Sequence, residues 1–544
     1  MKARLMFEDR DFQLDAGLLE SLERPRRARD SETRVHEERV GERDLIGDLE
    51  LEIVWNAMAR DDVVVYASSR TAMLSGVRRA EEIRYRHAVL TDCMRQPAVV
   101  REIYGLAVQA IAQERRIWRS IFSNRGEPLL RHSISVLELL VTFLRQLRKL
   151  AEEHADGFHS EGFGRFFDTI CRELDDDYFV EIAEHLRRLR FRDGVLMSAR
   201  LGDRGQGIDY VLRSPRHEKR GLFRLRRPML DKPTYSHIVP PRDHGGGQAL
   251  GRLRDRGVSL VANALGQSTD HILSFFAALR AELGFYVGCL NLHEQLADKG
   301  EPACLPEPHP LGTLAWSAQG LYDPCLSLRL SERVQGNDLH ADGKPLLMIT
   351  GANQGGKSTF LRGLGIAQLM MQAGMFVAAE SFSATITNGV FSHYKREEDA
   401  TMTSGKFDEE LARMSQIVKA IDGGCLLICN ESFSATNEHE GSQIADEFIR
   451  AMNQIGVKIA FVTHLYDLAH RYHEHHGDTT LFLRADRGVG GQRSYRIIEA
   501  EPLPTSYGED LYRRTFGDTS AWDRPQPVDG VSAPPVEAPR PGLA

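Results

Sequence analysis

The sequence predicts a multi-domain α and α/β chain, in which a long-helix region is interrupted by a basic, strand-containing insert and followed by an α/β domain. Three observations predict it. Leu137, Leu140, Leu144 and Leu147 recur at three- and four-residue spacing, and Ile272, Phe275, Phe276, Leu279, Leu283 and Val287 form a second such stripe, as one face of an amphipathic helix requires. Between the two stripes, Val195–Arg200 and Ile208–Arg213 are short alternating runs separated by Gly and Asp, the pattern of strands and turns. Further on, the apolar run Leu346–Thr350 leads into a glycine-rich loop and then into Phe360-Leu361-Arg362, the opening of a helix.

Each element follows in order. The 544 residues are too many for one hydrophobic core. Residues 1–44 are expected to be a charged arm, because 20–44 are dominated by Arg, Glu and Asp with almost no apolar periodicity. Residues 45–158 read as helical core. Residues 159–255 read as the basic insert: Arg187 to Arg227 holds thirteen Lys/Arg against four Asp/Glu, and Gly245-Gly246-Gly247 is expected to break the chain. A long helix returns over 256–300. Gly300 to Gly312, with four prolines and two glycines, reads as a linker into an α/β domain that ends near residue 518. Residues 519–544 read as a disordered tail, since Trp522 to Ala544 carries six prolines and no periodicity.

Composition narrows the function classes. Lys and Arg total 69 against 77 Asp and Glu, a net charge of −8, so any nucleic-acid contact must come from a local patch such as the insert. Seven cysteines make an odd number with no Cys-x-x-Cys pair, and Cys425 and Cys429 lie in an apolar run, as packing residues do. No signal-peptide core and no membrane-length apolar run is read in the chain. A cytoplasmic location and no membrane contact are the expectations.

The chemistry is concentrated in three segments. Gly351, Ala352, Asn353, Gln354, Gly355, Gly356, Lys357 and Ser358 form the Walker A pattern in its strand–loop–helix context. Backbone N–H groups would close around phosphates, and the helix N-terminus would add partial positive charge. Lys357 would neutralise the β/γ-phosphates of ATP, and Ser358 would ligate Mg²⁺. Cys425–Asn430 is an apolar strand followed by Glu431, the Walker B layout. Glu431 is the candidate to orient the attacking water, and Asn430 stands where an aspartate would help hold the metal. Ile459–Thr463 is a third apolar strand ending at His464, a candidate γ-phosphate sensor.

With these motifs on the page, the chain resembles the MutS family of DNA mismatch-repair ATPases. Thr350–Thr359 is similar to that family's P-loop, and Gly374–Ala379 to the stretch after the P-loop helix. Thr403–Leu411 is similar to the signature segment that reaches the partner subunit's nucleotide, and Asn430–Gly441 to Walker B with its dimer loop. Phe461–His464 and Ser506-Tyr507-Gly508 follow in the family's order. More weakly, Ile83–Leu90 and Phe285–Leu292 resemble the helical core and lever. The resemblance implies an ABC-like P-loop α/β ATPase domain, with Thr359 completing the loop and Ser404, Gly405 and Phe407 as the trans signature. It also implies a clamp at the basic insert, for which Arg187, Arg188, Arg190 and Arg192 are the candidate DNA contacts.

The departures are specific. The family's Walker B aspartate is Asn430 here, and its signature serine position is Gly405, with Ser404 one residue back. No mismatch-binding or connector domain is read before the helical core, no Phe-x-Glu wedge is placed to enter a groove, and no C-terminal dimerisation segment or Smr nuclease domain follows. The reading is a dimeric, ATP-gated DNA clamp in mismatch repair or a related process, with other repair proteins as possible partners. The alternative is an ATP-binding scaffold that hydrolyses little and acts through protein partners.

Overall fold

The computed structural model describes residues 1–14, 17, 19, 40–117, 126–191, 194–203, 205–213, 235–240, 242–352, 354–396, 405–487 and 493–503. The chain is helical at first: α1 (Glu42–Asp48), α2 (Leu51–Ala59), α3 (Val63–Ser75), α4 (Ala80–Arg95), α5 (Pro97–Arg116), α6 (Gly126–His154), α7 (Glu161–Glu173) and α8 (Asp176–Leu189). Local chemistry sets several starts. The Asp62 carboxylate accepts from the N–H groups of Val64 and Val65 at α3, Ser160 caps α7 and Asp175 caps α8, each satisfying N–H groups that the first turn leaves without a partner. Leu137, Leu140, Leu144 and Leu147 on α6 are buried.

A hairpin of β1 (Met197–Leu201) and β2 (Gly207–Leu212) follows, antiparallel. Then comes α9 (His244–Ala297), 54 residues and so about 80 Å long, packed on α2, α3, α5 and α6.

Several expectations are corrected here. Residues 161–173 and 176–189, placed by the sequence inside the insert, are two helices, the second ending where the arginine run at 187–192 is expected to end a helix, and Phe163, Phe166, Phe167 and Ile170 of α7 are buried. The strands of the insert, among the described residues, are confined to the one hairpin. Gly245-Gly246-Gly247 does not break the chain: the Asp243 side chain accepts from the Gly246 N–H, and that cap starts α9 across the three glycines, ahead of the expected 256. An 18-residue window of α9 is apolar enough to cross a membrane, contrary to the sequence reading, but 72% of it is buried inside the molecule, as a core helix requires.

The N-terminal arm is corrected most. Ala3, Leu5, Met6 and Phe12 are buried in the helical core. The N–H groups of Leu5 and Met6 donate to the Glu282 carboxylate at 2.5 and 3.1 Å. The Tyr286 hydroxyl donates to the Leu5 carbonyl at 2.7 Å, and Arg86 Nε to the Met6 carbonyl at 3.0 Å. Polar groups on α4 and α9 thus satisfy the backbone of a segment too short to satisfy its own. Most of residues 15–39 lie outside the described residues, as do 504–544, which include Ser506-Tyr507-Gly508 and the proline tail.

The α/β part runs β3 (Glu307–His309), β4 (Trp316–Leu321), α10 (Pro324–Arg329), β5 (Asn337–His340), β6 (Leu346–Thr350), α11 (Lys357–Ala373), β7 (Ser381–Thr385), β8 (Val390–Tyr394), α12 (Lys406–Ala420), β9 (Leu426–Asn430), α13 (Glu438–Gln454), β10 (Lys458–Val462), α14 (Tyr466–His475), β11 (Thr480–Arg487) and β12 (Arg493–Glu499). The larger sheet has the order β12-β11-β6-β10-β9-β8. All its pairs are parallel except β11 with β12, and β6 and β10 are wholly buried, as strands covered on both faces must be. A second sheet, β3-β7-β4-β5, takes β3 from the expected linker. Its proline sits on an edge strand, where a missing N–H is tolerated.

The two parts share one core. The Val77 N–H donates to the Gln372 carbonyl at 2.7 Å, and Arg86 Nη1 to the Ala373 carbonyl at 2.7 Å. The C-terminal end of α11 is therefore fastened to the helices. Near its other end, Arg362 bonds Asp323 at 2.7 Å and pairs with Glu50 at 3.0 Å.

Candidate nucleotide site

The glycine loop joins β6 to α11 beside the C-terminal part of β11, which pairs parallel with β6. Gly351 has φ 111°, and a Cβ there would lie 3.0 Å from the Ala485 nitrogen; a Cβ on Gly355 would lie 2.7 Å from the Ala485 Cβ. These positions take glycine because β11 comes this close. Gly356 caps α11 with φ 93°, and Gln354 holds a left-handed φ of 61°. Asn353 lies outside the described residues.

Lys357 folds back on this loop. Its Nζ donates to the carbonyls of Gly351 and Ala352 at 2.8 and 2.9 Å, and the residue is buried. Burial pushes its pKa down to about 8 from 10.5, against the raising effect of Glu431. Beside it, Ser358 Oγ donates to Asn430 Oδ1 at 3.1 Å. The two residues expected to hold the metal are therefore in contact, although 72 positions separate them in the chain.

Glu431 follows β9 with a left-handed φ of 57°, and its N–H donates to the Val462 carbonyl at 2.9 Å. The parallel pairing of β9 with β10 brings His464 alongside, so that His464 Nε2 lies 2.8 Å from Glu431 Oε1. The hydrogen bond from His464 holds the Glu431 carboxyl below its usual range; burial opposes this, and the charges of His464 and Lys357 reinforce it.

Gln354, Gly356, Lys357, Ser358, Thr359 and Glu431 line one cleft of about 930 Å³, within the range of small-molecule sites. Ser494 and Tyr495 of β12 also line it. The sequence reading had no role for either, and nothing local marks them, because only the β11–β12 hairpin carries them over the loop. Among the described residues no group of three or more His, Cys, Asp or Glu could hold a metal. The donors present are the Ser358 hydroxyl and the Asn430 amide oxygen. That set suits Mg²⁺, which keeps several waters and takes phosphate oxygens rather than a full protein cage.

The trans candidates sit elsewhere. Gly405 precedes α12 as its N-cap and Phe407 is half-buried in its first turn; neither lines the cleft. Ser404 lies outside the described residues, as does Arg192. Arg187, Arg188 and Arg190 are exposed at the end of α8, but Arg188 pairs with Glu184 and Arg190 with Glu138. The expected cluster of free cations is thus partly neutralised. The Glu184–Arg188 spacing of four was legible in the sequence; Glu138, on α6, was not.

Comparison with known proteins follows the same division. Residues 347–512 match the family model described as MutS domain V, and residues 78–299 match that described as MutS2 N-terminal domain. The chain is 31% identical to the DNA mismatch repair protein MutS of Chloroflexus aurantiacus over 196 residues, which are 33% of this chain and 20% of that protein. It is 35% identical to the DNA mismatch repair protein MutS of Chlorobium chlorochromatii over 137 residues, 24% of this chain and 16% of that one. It is 28% identical to MutS protein homolog 4 of Mus musculus over 152 residues, 28% and 16% of the two chains. The chain spans about a fifth or less of the length of these relatives.

Proposed function

The chain belongs to the MutS family, and from that premise we propose that it is an ATP-gated DNA-binding ATPase that closes as a dimer around DNA in mismatch repair or a related process. The observation that carries this reading is the convergence of Lys357, Ser358 and Glu431 on one cleft, with Asn430 bonded to Ser358 and His464 to Glu431 from behind it.

In this reading the loop from Gly351 to Thr359 is the phosphate-binding loop, and Lys357 leaves the carbonyls of Gly351 and Ala352 for the β/γ-phosphates of ATP. Ser358 and Asn430 hold Mg²⁺, which when bound neutralises phosphate charge. Glu431, fixed by His464, accepts a hydrogen bond from the water that attacks the γ-phosphate. The N-terminal end of α12, with Gly405, Phe407 and the undescribed Ser404, meets the nucleotide of the second copy. Closure passes to the lever helices through the end of α11, where Gln372 and Ala373 are bonded to α3–α4. The basic insert, including Arg187, Arg188, Arg190 and Arg192, supplies phosphate contacts to DNA. The dimer works in the cytoplasm.

ATP turnover with and without DNA tests the reading. Wild type should hydrolyse ATP faster with DNA, and Lys357→Ala should lose nucleotide binding altogether; ATP affinity that survives this change would sink the assignment. A second reading, a scaffold that binds ATP and turns it over little, is favoured by the neutral Asn430. Asn430→Asp discriminates: a raised turnover at lower Mg²⁺ means that the wild type is a slow ATPase, limited by the missing charge.

A further inference from the structure

We infer that Glu410 is a positioning residue that ties the trans surface on α12 to the catalytic Glu431 of the same chain, so that the nucleotide held by one copy sets the hydrolytic geometry of the other. The inference rests on the dimer reading above and concerns a residue which that reading leaves unused.

Glu410 lies in the second turn of α12, the helix whose N-terminal end carries Gly405 and Phe407. It is buried, and its carboxylate accepts from the Phe433 N–H. Its backbone carbonyl lies 3.3 Å from His393 Nε2, and His393 Nδ1 lies 2.7 Å from the Ser432 hydroxyl, which is also 3.1 Å from the His393 carbonyl. Ser434 Oγ then donates to the Glu431 carbonyl at 2.7 Å. The turn from Glu431 to Ser434 is thus gripped from α12 on one side and β8 on the other.

That turn needs gripping. Glu431 and Phe433 have φ of 57° and 64°, a left-handed conformation that residues with a Cβ hold only where their surroundings impose it. A charge-assisted hydrogen bond to the Phe433 N–H is a strong constraint of that kind. The backbone of Ala435, two residues further along the same turn, also bonds the Glu410 carboxylate, so that one side chain of α12 holds two successive points of the turn. A displacement of α12 by a nucleotide at its N-terminal end would reach Glu431 two residues from the Phe433 bond.

The test uses the full chain. Glu410→Ala should lower kcat at least tenfold with nucleotide affinity within twofold of wild type and a similar unfolding midpoint. Glu410→Gln, which keeps an acceptor oxygen, should restore turnover to within about threefold. A wild-type kcat in Glu410→Ala, a joint loss of kcat and affinity, or a Gln variant no better than Ala overturns the assignment. Coupling is read by adding excess Lys357→Ala chain, which supplies a copy without nucleotide. Wild-type turnover per working site should fall, and Glu410→Ala turnover should not change. A Glu410→Ala protein that responds as wild type does overturns the coupling alone. A wild type indifferent to the added chain overturns the dimer reading and this coupling with it, while nucleotide binding by the Lys357→Ala chain separately marks failure of the nucleotide-site assignment.

Discussion

Lys357 carries its charge in surroundings that disfavour it. Two backbone carbonyls are its partners, and burial lowers its pKa to about 8. Triphosphate raises the pKa of the bound form, so binding takes up a proton once the free lysine begins to lose its own. ATP affinity should therefore be flat below pH 8 and fall about tenfold per pH unit above it. Lys357→Arg, charged throughout, should remove the slope; fluorescent-nucleotide titrations from pH 7 to 9.5 decide. Glu431 is the opposite case, a carboxyl held below 4.5 chiefly by its hydrogen bond from His464. Its ionised form is the stronger acceptor and the only one that can take a proton from the attacking water. His464→Ala should raise its pKa, move the acid limb of the kcat profile to higher pH and lower kcat, with ATP affinity little changed. An acid limb that stays in place would show that His464 does not tune this carboxylate.

At the scale of elements, α8 and the hairpin decide what the basic insert can do. Arg188 and Arg190 already have carboxylate partners, whereas Arg187 is exposed at the same helix end. An exposed ion pair is weak, on the order of 0–1 kcal/mol, so phosphate can compete for Arg188 and Arg190, but at the cost of releasing Glu184 and Glu138. Arg187→Ala should lower the slope of log K against log[salt] for DNA binding by about one, and Arg188→Ala and Arg190→Ala by less. Equal effects at the three positions would show that the pairs open freely. Equal absence of effect would leave this helix end as a solvated face.

At the scale of the whole molecule, the N-terminal segment is the seal between helices. Glu282 accepts from it while buried, and burial pushes its pKa up to about 7 from 4.5 although the N–H groups of Leu5 and Met6 oppose the rise. The folded state thus binds a proton that the unfolded state releases, and stability should fall as pH rises from about 4.5 to 7, by on the order of 3 kcal/mol. Glu282→Gln, which retains an acceptor, should flatten that dependence and match or exceed wild-type stability at pH 8 in denaturant melts. The same segment bears on DNA specificity. Phe12 is buried, and the Phe7 ring is covered by Arg10 and Arg86 at 3.7 and 4.3 Å, so neither aromatic is free to enter a base stack. Opening a base step costs a few kcal/mol, which no side chain of this segment can repay. Matched and mismatched duplexes should compete within tenfold, about 1.4 kcal/mol, and a four-way junction should compete better than either. A larger mismatch preference would mean that another part of the protein supplies the wedge.

By itself the sequence determined what is local. The glycine loop is a run of neighbours whose chemistry needs no distant partner, and Glu431 and His464 each follow an apolar strand, so their shared strand-end position was legible before their 2.8 Å contact. The two helical stripes were legible for the same reason, since periodicity declares a buried face without saying what covers it. Tertiary structure decided the rest. Residues 1–14 read as part of a charged arm, and bonds to Glu282, Tyr286 and Arg86 make them core. Three glycines read as a break until the Asp243 side chain makes them a first turn. Glu410 and His393 carry no signal of their own, because their role is a set of hydrogen bonds to a turn 23 and 39 positions away. Propensity and pattern act over a few residues, whereas satisfaction of a buried polar group depends on whichever segment the fold delivers to it.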